Sequence, residues 1–229
     1  MAFMQGVHLL MTQQSMYRLT KRTLDILIAG LSLVILSPLL AAMAVAIRLG
    51  SRGPAIFRQQ RAGKDGKPFT LYKFRTMRPD ADPFGPSPKS GEDPRLTRLG
   101  RFLREHSLDE LPQLINVIRG DMSLVGPRPL YMSQVAEWNE RQRKRLEVKP
   151  GLTGLAQVSG RGDLTREEKL ELDVRYIEQA SFGLDARILL ATAARVCGGE
   201  GIYEKKYSQV EQTRGQGASD DKKDLTATK

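Results

Sequence analysis

The hydrophobic pattern is strongest near the N-terminus, where residues 26–47 read ILIAGLSLVILSPLLAAMAVAI, 22 positions without a charge. A run of about 20 apolar residues suffices for a helix crossing a bilayer core. Farther along, the period changes. Ala55-Ile56-Phe57 and Phe69-Thr70-Leu71-Tyr72-Lys73-Phe74 have strand character. Between them Arg61-Ala62-Gly63-Lys64-Asp65-Gly66-Lys67 has turn chemistry, which predicts a β-hairpin. Residues 78–95 carry five prolines in 18 positions and predict a loop. Helical spacing returns at 96–105, 108–119, 132–148, 165–179 and 184–196. The last of these is apolar around much of its circumference and suits the core or a membrane interface. The tail after Tyr203 is rich in Lys, Gln, Ser, Asp and Thr and predicts disorder. The whole reads as α+β, predominantly helical, with no internal repeat.

Three fates compete for the apolar run. Ala42-Met43-Ala44 and Ala44-Val45-Ala46 fit the cleavage pattern of a secretory signal. The run is too long for one, and about two dozen residues precede it. Arg18, Lys21 and Arg22 stand before it and Arg48 and Arg52 after it, so both flanks prefer the cytoplasm. Pro38 has no N–H for the carbonyl of Val34, and the hydroxyl of Ser37 is placed to return a bond to such a freed group. The residues alone leave a single span and a re-entrant helix equally open.

Charge sharpens the picture beside this run. Of a net charge of +10 in 229 residues, +8 falls between Arg48 and Arg78, which hold nine Lys/Arg and one acid, Asp65. Such a block suits anionic lipid head groups or a phosphorylated ligand. One cysteine, Cys197, excludes an intrachain disulfide framework and a multi-cysteine zinc cluster. His8 and His106 are too far apart in sequence to suggest a His-rich metal site. Aromatics at 6% argue against a single-strand nucleic-acid binder built on stacking.

The candidate chemistry is an acid pair. Ser107-Leu108-Asp109-Glu110 fits a capping box, with Ser107 as cap and both acids in the first helical turn. Acids there often serve only the helix. Downstream, Asp121-Met122-Ser123-Leu124-Val125-Gly126-Pro127-Arg128-Pro129 places an arginine between two prolines, a rigid mount for a guanidinium that suits phosphate. Residues 149–161, KPGLTGLAQVSGR, add glycines for close backbone approach and two cations, Lys149 and Arg161. They match neither a P-loop nor a dinucleotide fingerprint.

Several of these stretches in order resemble one family, the monotopic polyprenyl-phosphate phosphoglycosyl transferases, or bacterial sugar transferases. They are Lys21-Arg22 before an apolar helix broken at Ser37-Pro38, Tyr72-Lys73-Phe74-Arg75-Thr76-Met77, Ser107–Gln113, Gly120–Pro129 and Lys149–Gly154, over roughly residues 18–203. The resemblance implies a re-entrant membrane helix at 18–52, a cytoplasmic catalytic domain at 53–203, an N-terminal extension at 1–17 and a disordered tail at 204–229. It implies transfer of a sugar-1-phosphate from a nucleotide sugar, expected to be a UDP-sugar, to polyprenyl (undecaprenyl) phosphate at the cytoplasmic face of the bacterial inner membrane. That reaction begins assembly of a cell-surface glycan such as an exopolysaccharide or lipopolysaccharide. By the same resemblance Asp109 is the nucleophile, forming an aspartyl-phosphosugar. Glu110, with Asp109, holds Mg²⁺ or Mn²⁺. Arg104 and Arg128 bind substrate phosphates, with Lys73, Arg75, Gln157, Arg161 and Asp121 as lesser candidates. Anionic lipids are expected partners, nucleic acid is not, and a homodimer is compatible with the sequence. Composition alone also permits a membrane-anchored basic scaffold for lipid or nucleic acid, and the acid cluster a metal-dependent phosphatase.

Overall fold

The computed structural model describes residues 2–82, 85, 88 and 90–198, with residues 2–15 and 197–198 as backbone only. The tail expected to be disordered lies outside the described residues. Helix α1 covers Ala2–Gly50, 49 residues or about 70 Å. It therefore absorbs residues 2–17, where no helix was expected, and continues through Ser37-Pro38 without interruption. Pro38 leaves the Val34 carbonyl without an amide donor, and Ser37 Oγ donates to that carbonyl at 2.8 Å. The stretch Met16–Gly50 is long and apolar enough to cross a membrane.

The hairpin follows. Strand β1 (Ile56–Ala62) pairs antiparallel with β2 (Pro68–Phe74), with Ile56 opposite Phe74. Asp65 takes the left-handed conformation in the turn between them. Helix α2 (Arg98–Glu105) starts at Thr97, whose side chain accepts from the Gly100 N–H. Gly100 is obligatory by packing, since a Cβ there would lie 1.9 Å from the Thr76 carbonyl oxygen.

The helix expected over 108–119 is instead two pieces. Leu108–Glu110 forms one 3₁₀ turn, and helix α3 begins only at Gln113 and ends at Arg119. Ser107 is left-handed (φ 55°) and makes no capping bond, so the capping box is not formed. After α3, strand β3 (Ser123–Val125) runs to helix α4 (Met132–Val135) and helix α5 (Glu140–Arg143). The single helix expected over 132–148 is broken because Asn139 restarts the chain, capping the Gln142 N–H while Gln142 bonds back. A 3₁₀ turn, Lys144–Glu147, completes the segment.

Strand β4 (Gly151–Thr153) pairs parallel with β3, Ser123 opposite Gly151 and Val125 opposite Thr153. This second small sheet was not expected. Helices α6 (Leu155–Ser159), α7 (Arg166–Gln179) and α8 (Phe182–Gly198) close the fold. Thr165 caps α7 in a full capping box with Glu168.

Two apolar clusters hold these elements. One joins Ala29 of α1 to Phe69, Leu71, Leu114, Val117, Met122, Leu124, Tyr176 and Ile188. The other joins Met43 and Ile47 of α1 to Ala55, Phe74 and Leu103. Both halves of α1 therefore rest on the same body, and its other side stays bare, with Leu27, Leu31, Val34 and Ile35 each more than 60% exposed.

Polar contacts anchor both ends of the packed length. Asp25, at the edge of the apolar run, is buried and accepts from Ser123 Oγ (2.7 Å) and the Leu124 N–H (3.1 Å). Arg22 donates to the carbonyls of Val117 and Ile118 in the last turn of α3. Arg75 does the same for α1, donating to the carbonyls of Ile47, Ser51 and Arg52.

Candidate active site

The turn between α2 and α3 presents the acid pair. Because Ser107 is left-handed and Pro112 precedes α3, the chain reverses tightly and aims Asp109 inward, where it is 6% exposed. Lys73 lies two residues past Leu71 on the same face of β2. Its Nζ donates to Glu110 Oε1 at 2.8 Å. Arg128 Nη2 donates to the same oxygen at 3.0 Å. Asp109 makes no hydrogen bond among the described residues.

The two carboxyls are consequently unlike. Burial pushes the Asp109 carboxyl up to about 6, against the pull of Lys73, while the neighbouring Glu110 charge adds to the rise. Burial would raise Glu110 too, but the Arg128 and Lys73 charges overcome it and hold its carboxyl well below the usual range. Lys73 is itself lowered by burial, with Glu110 acting to keep it charged.

Arg104 and Arg161, two other expected site residues, act on the pair and hold polar atoms unspent. Arg104 Nη1 is buried without a hydrogen-bond partner, and its charge reaches Asp109. Arg161, left-handed at φ 48°, donates to Ser107 Oγ at 2.7 Å, and its Nη1 is buried and unpartnered. Gln157 has both amide atoms buried without partners. It sits against Gly154, where a Cβ would approach Gln157 Oε1 to 2.8 Å and the Gly126 carbonyl to 2.1 Å. Buried unpaired polar atoms are costly, and such a concentration fits a site completed by a ligand.

Three sequence candidates lie elsewhere. Arg75 binds the end of α1 and makes no contact with Asp109 or Glu110. Asp121 accepts from Asn116 Nδ2, a fully buried amide that also bonds Thr70 and Tyr72 and ties α3 to the hairpin. Lys149 stands beside Arg22 near Gly120, at the far end of α3. Residues 78–95 offer no metal cluster among those described, and Asp93 there pairs with Arg95 at 2.7 Å.

No group of three or more His, Cys, Asp or Glu converges among the described residues. The available donor set for a cation is the adjacent carboxylates Asp109 and Glu110. Two hard oxygen donors, one with no internal partner, suit Mg²⁺, which keeps waters and takes further oxygens from substrate phosphates.

Sequence reasoning missed Asp25, Asn116, Arg145, Asp173 and Asp185. Asp25 carried a signal, as an acid directly abutting a long apolar run. So did Asp173, which shares a helix face with Leu170, Val174 and Ile177.

The family model for bacterial sugar transferases matches residues 16–199. The chain is 45% identical over 197 residues to an uncharacterized sugar transferase, EpsL, of Bacillus subtilis, covering 86% of this chain and 96% of that one. It is 45% identical over 183 residues to a UDP-glucose:undecaprenyl-phosphate glucose-1-phosphate transferase of Escherichia coli, covering 76% of this chain and 39% of that one. It is 40% identical over 201 residues to an undecaprenyl-phosphate galactose phosphotransferase of Salmonella typhimurium, covering 81% of this chain and 42% of that one. The chain thus spans less than half the length of either of these two phosphotransferases.

Proposed function

The chain belongs to the bacterial sugar transferase family, and from that premise we propose that it transfers a sugar-1-phosphate from a UDP-sugar to undecaprenyl phosphate by way of a covalent aspartyl-phosphosugar. The observation that carries the mechanism is the asymmetry of the pair. Glu110 is held ionised by two cations, whereas Asp109 is buried, poised near 6 and without a hydrogen bond among the described residues. An unsolvated, unpaired carboxylate is an activated nucleophile.

In the first displacement an Asp109 oxygen bonds to the sugar-bearing phosphorus. The bond from that phosphorus to the bridging oxygen breaks, and UMP leaves with the electron pair. In the second, an oxygen of the lipid phosphate attacks the same phosphorus, and Asp109 departs as carboxylate. The product is a polyprenyl diphosphate sugar. Arg128 and Arg104 neutralise phosphate oxygens as charge shifts between them. Arg161 and Gln157 spend their unpartnered donors on the donor substrate. Glu110 and Asp109 are the residues that would hold Mg²⁺, which when bound would add neutralisation of the diphosphate charge.

The site sits beside a helix whose two halves pack on one body and whose opposite face is bare. That supports a monotopic arrangement, with α1 dipping into the cytoplasmic leaflet of the inner membrane and bending at Pro38 when lipid surrounds it. In a Cys197→Ser background, cysteines at Thr20 and Arg52 should both resist an impermeant thiol reagent in intact cells and react after lysis. Labelling of one alone would establish a span.

The activity is tested by incubating the protein with a panel of nucleotide sugars with and without polyprenyl phosphate. Nucleoside monophosphate should appear in stoichiometric, continuing amounts only when the lipid phosphate is present. Release of inorganic phosphate from simple monoesters instead would make the protein a phosphatase.

A further inference from the structure

Helix α7 carries a buried acid, Asp173, and the turn after α5 a buried base, Arg145; they are 3% and 4% exposed. They form an ion pair through Arg145 Nη2 and Asp173 Oδ2. Nothing in the proposed chemistry uses either residue. As a stability device the pair is poor. Arg145 Nε and Nη1 are buried with no hydrogen-bond partner. Burial lifts the Asp173 carboxyl to about 6, although Arg145 and a backbone N–H pull it down. Pairs of this kind are often replaced by apolar side chains at no loss of stability.

The pair's remaining bonds converge on one residue. Arg145 Nη2 also donates to the Arg128 carbonyl at 2.7 Å. The Arg128 backbone N–H faces the Asp173 carboxyl closely enough to pull its pKa down. The backbone of Arg128 is thus tied to the ion pair through its carbonyl. The prolines on either side, Pro127 and Pro129, have no N–H to offer and restrict the backbone further. The plane of Arg145 is set in turn by Trp138, with the guanidinium carbon 4.7 Å from the ring centroid. From this clamped backbone the Arg128 side chain reaches Glu110 at 3.0 Å.

We propose that Arg145 and Asp173 are positioning residues that act through Arg128, gripping its backbone so that its guanidinium is held at the carboxylate pair. The inference rests on the transferase reading above. It explains why a charge pair is buried in a helical layer away from the acids. A displacement of about 1 Å at a phosphate-binding arginine is enough to cost about 10²-fold in rate.

The test is a double-mutant cycle on the full chain. Arg145→Met with Asp173→Leu removes both charges together, so no buried charge is left unpaired and only the grip on the Arg128 backbone is lost. This variant is measured in the wild-type background and in Arg128→Ala, by thermal unfolding and by lipid-dependent monophosphate release. The expected result is a melting temperature within a few degrees of the parent and a fall in kcat of about 10- to 100-fold, with a smaller change in KM. In Arg128→Ala the same substitutions should change kcat by less than about 2-fold, because the residue they serve is gone. Asp173→Asn, which keeps volume, is carried through both backgrounds as the milder probe should the double variant fail to fold. Equal losses in the two backgrounds, or no loss in either, would overturn the proposal. Wild-type protein that releases no monophosphate with any nucleotide sugar would instead sink the transferase reading, and the positioning role with it.

Discussion

Asp185 and Asp109 are both buried carboxylates, yet their surroundings are opposites. Asp185, at the start of α8, accepts from Lys21 (2.8 Å), Tyr17 (2.9 Å) and Tyr176 (2.7 Å), and so pins α1 to α7 and α8. Asp25 nearby on α1 is saturated in the same way by Ser123 and Leu124. At Asp109 the acid itself has no hydrogen bond among the described residues, and Arg104 and Arg161, whose charges reach it, each hold a buried polar atom without a partner. Folding favours the first arrangement, since each desolvated group is repaid by a bond. The second is unfavourable for folding alone and makes sense where a substrate with several anionic oxygens completes the set. Saturated clusters hold the helix to the body; the unsaturated carboxylate at Asp109 is where chemistry is expected.

Substitution should separate the two regions cleanly. Asp109→Asn should lower turnover by several orders of magnitude, because the attacking anion is gone while size is kept. Glu110→Gln should also be crippled, with partial rescue by excess Mg²⁺ or Mn²⁺ that Asp109→Asn does not show. Both variants should melt no lower than wild type by about 1 kcal/mol or more, in thermal scans run alongside the assay. An Asp109→Asn protein with near-normal activity would collapse the contrast.

At the saturated cluster the expectation reverses. Asp185→Ala strands Lys21 and the Tyr17 hydroxyl, leaves Tyr176 only its bond to the Val125 carbonyl, and should cost about 3 kcal/mol of stability. Its activity, measured below the lowered transition, should stay within a few-fold of wild type. Denaturant titration in detergent checks the first and the monophosphate assay the second.

The smallest effect is the pH response. Asp109 has its carboxyl raised to about 6, so activity should climb as pH rises through about 6 and level off above it. The stability sign is the opposite. The folded state keeps the Asp109 proton to higher pH than the unfolded chain, whose aspartates titrate near 4. Between about pH 4 and 6 the native state therefore binds more protons, and Asp109's contribution to stability falls as pH rises. Asp109→Asn should remove that component, seen as a flatter melting-temperature profile across the same window.

Much of this contrast was legible along the chain. The apolar run, the hairpin, α2, α7 and α8 follow from hydrophobic period and turn chemistry, and Asp109-Glu110 with Arg128 from their motifs. Geometry that depends on distant partners was not legible. Ser107 looks like a cap but turns left-handed, with its hydroxyl bonded to Arg161, 54 residues away. Strands β3 and β4 are three residues each and pair in parallel across a long connection, below what alternation can reveal. Arg75 reads as one more cation near the site, and only packing shows it closing the end of α1. The saturating partners of Asp185 come from two other helices, α1 and α7, so no local window contains them.

The central claim is that Asp109 becomes covalently attached to the phospho-sugar, and it can be observed without turnover. Wild-type protein is incubated with its nucleotide sugar and Mg²⁺ in the absence of lipid phosphate, quenched, digested and weighed by mass spectrometry. The peptide containing Asp109 should gain the mass of a hexose or amino-sugar phosphate. The adduct should disappear on addition of polyprenyl phosphate or hydroxylamine, and it should be missing in Asp109→Asn. Repeated absence of any adduct under conditions that support full turnover would contradict the covalent role and leave Asp109 as a metal ligand or base in a one-step transfer.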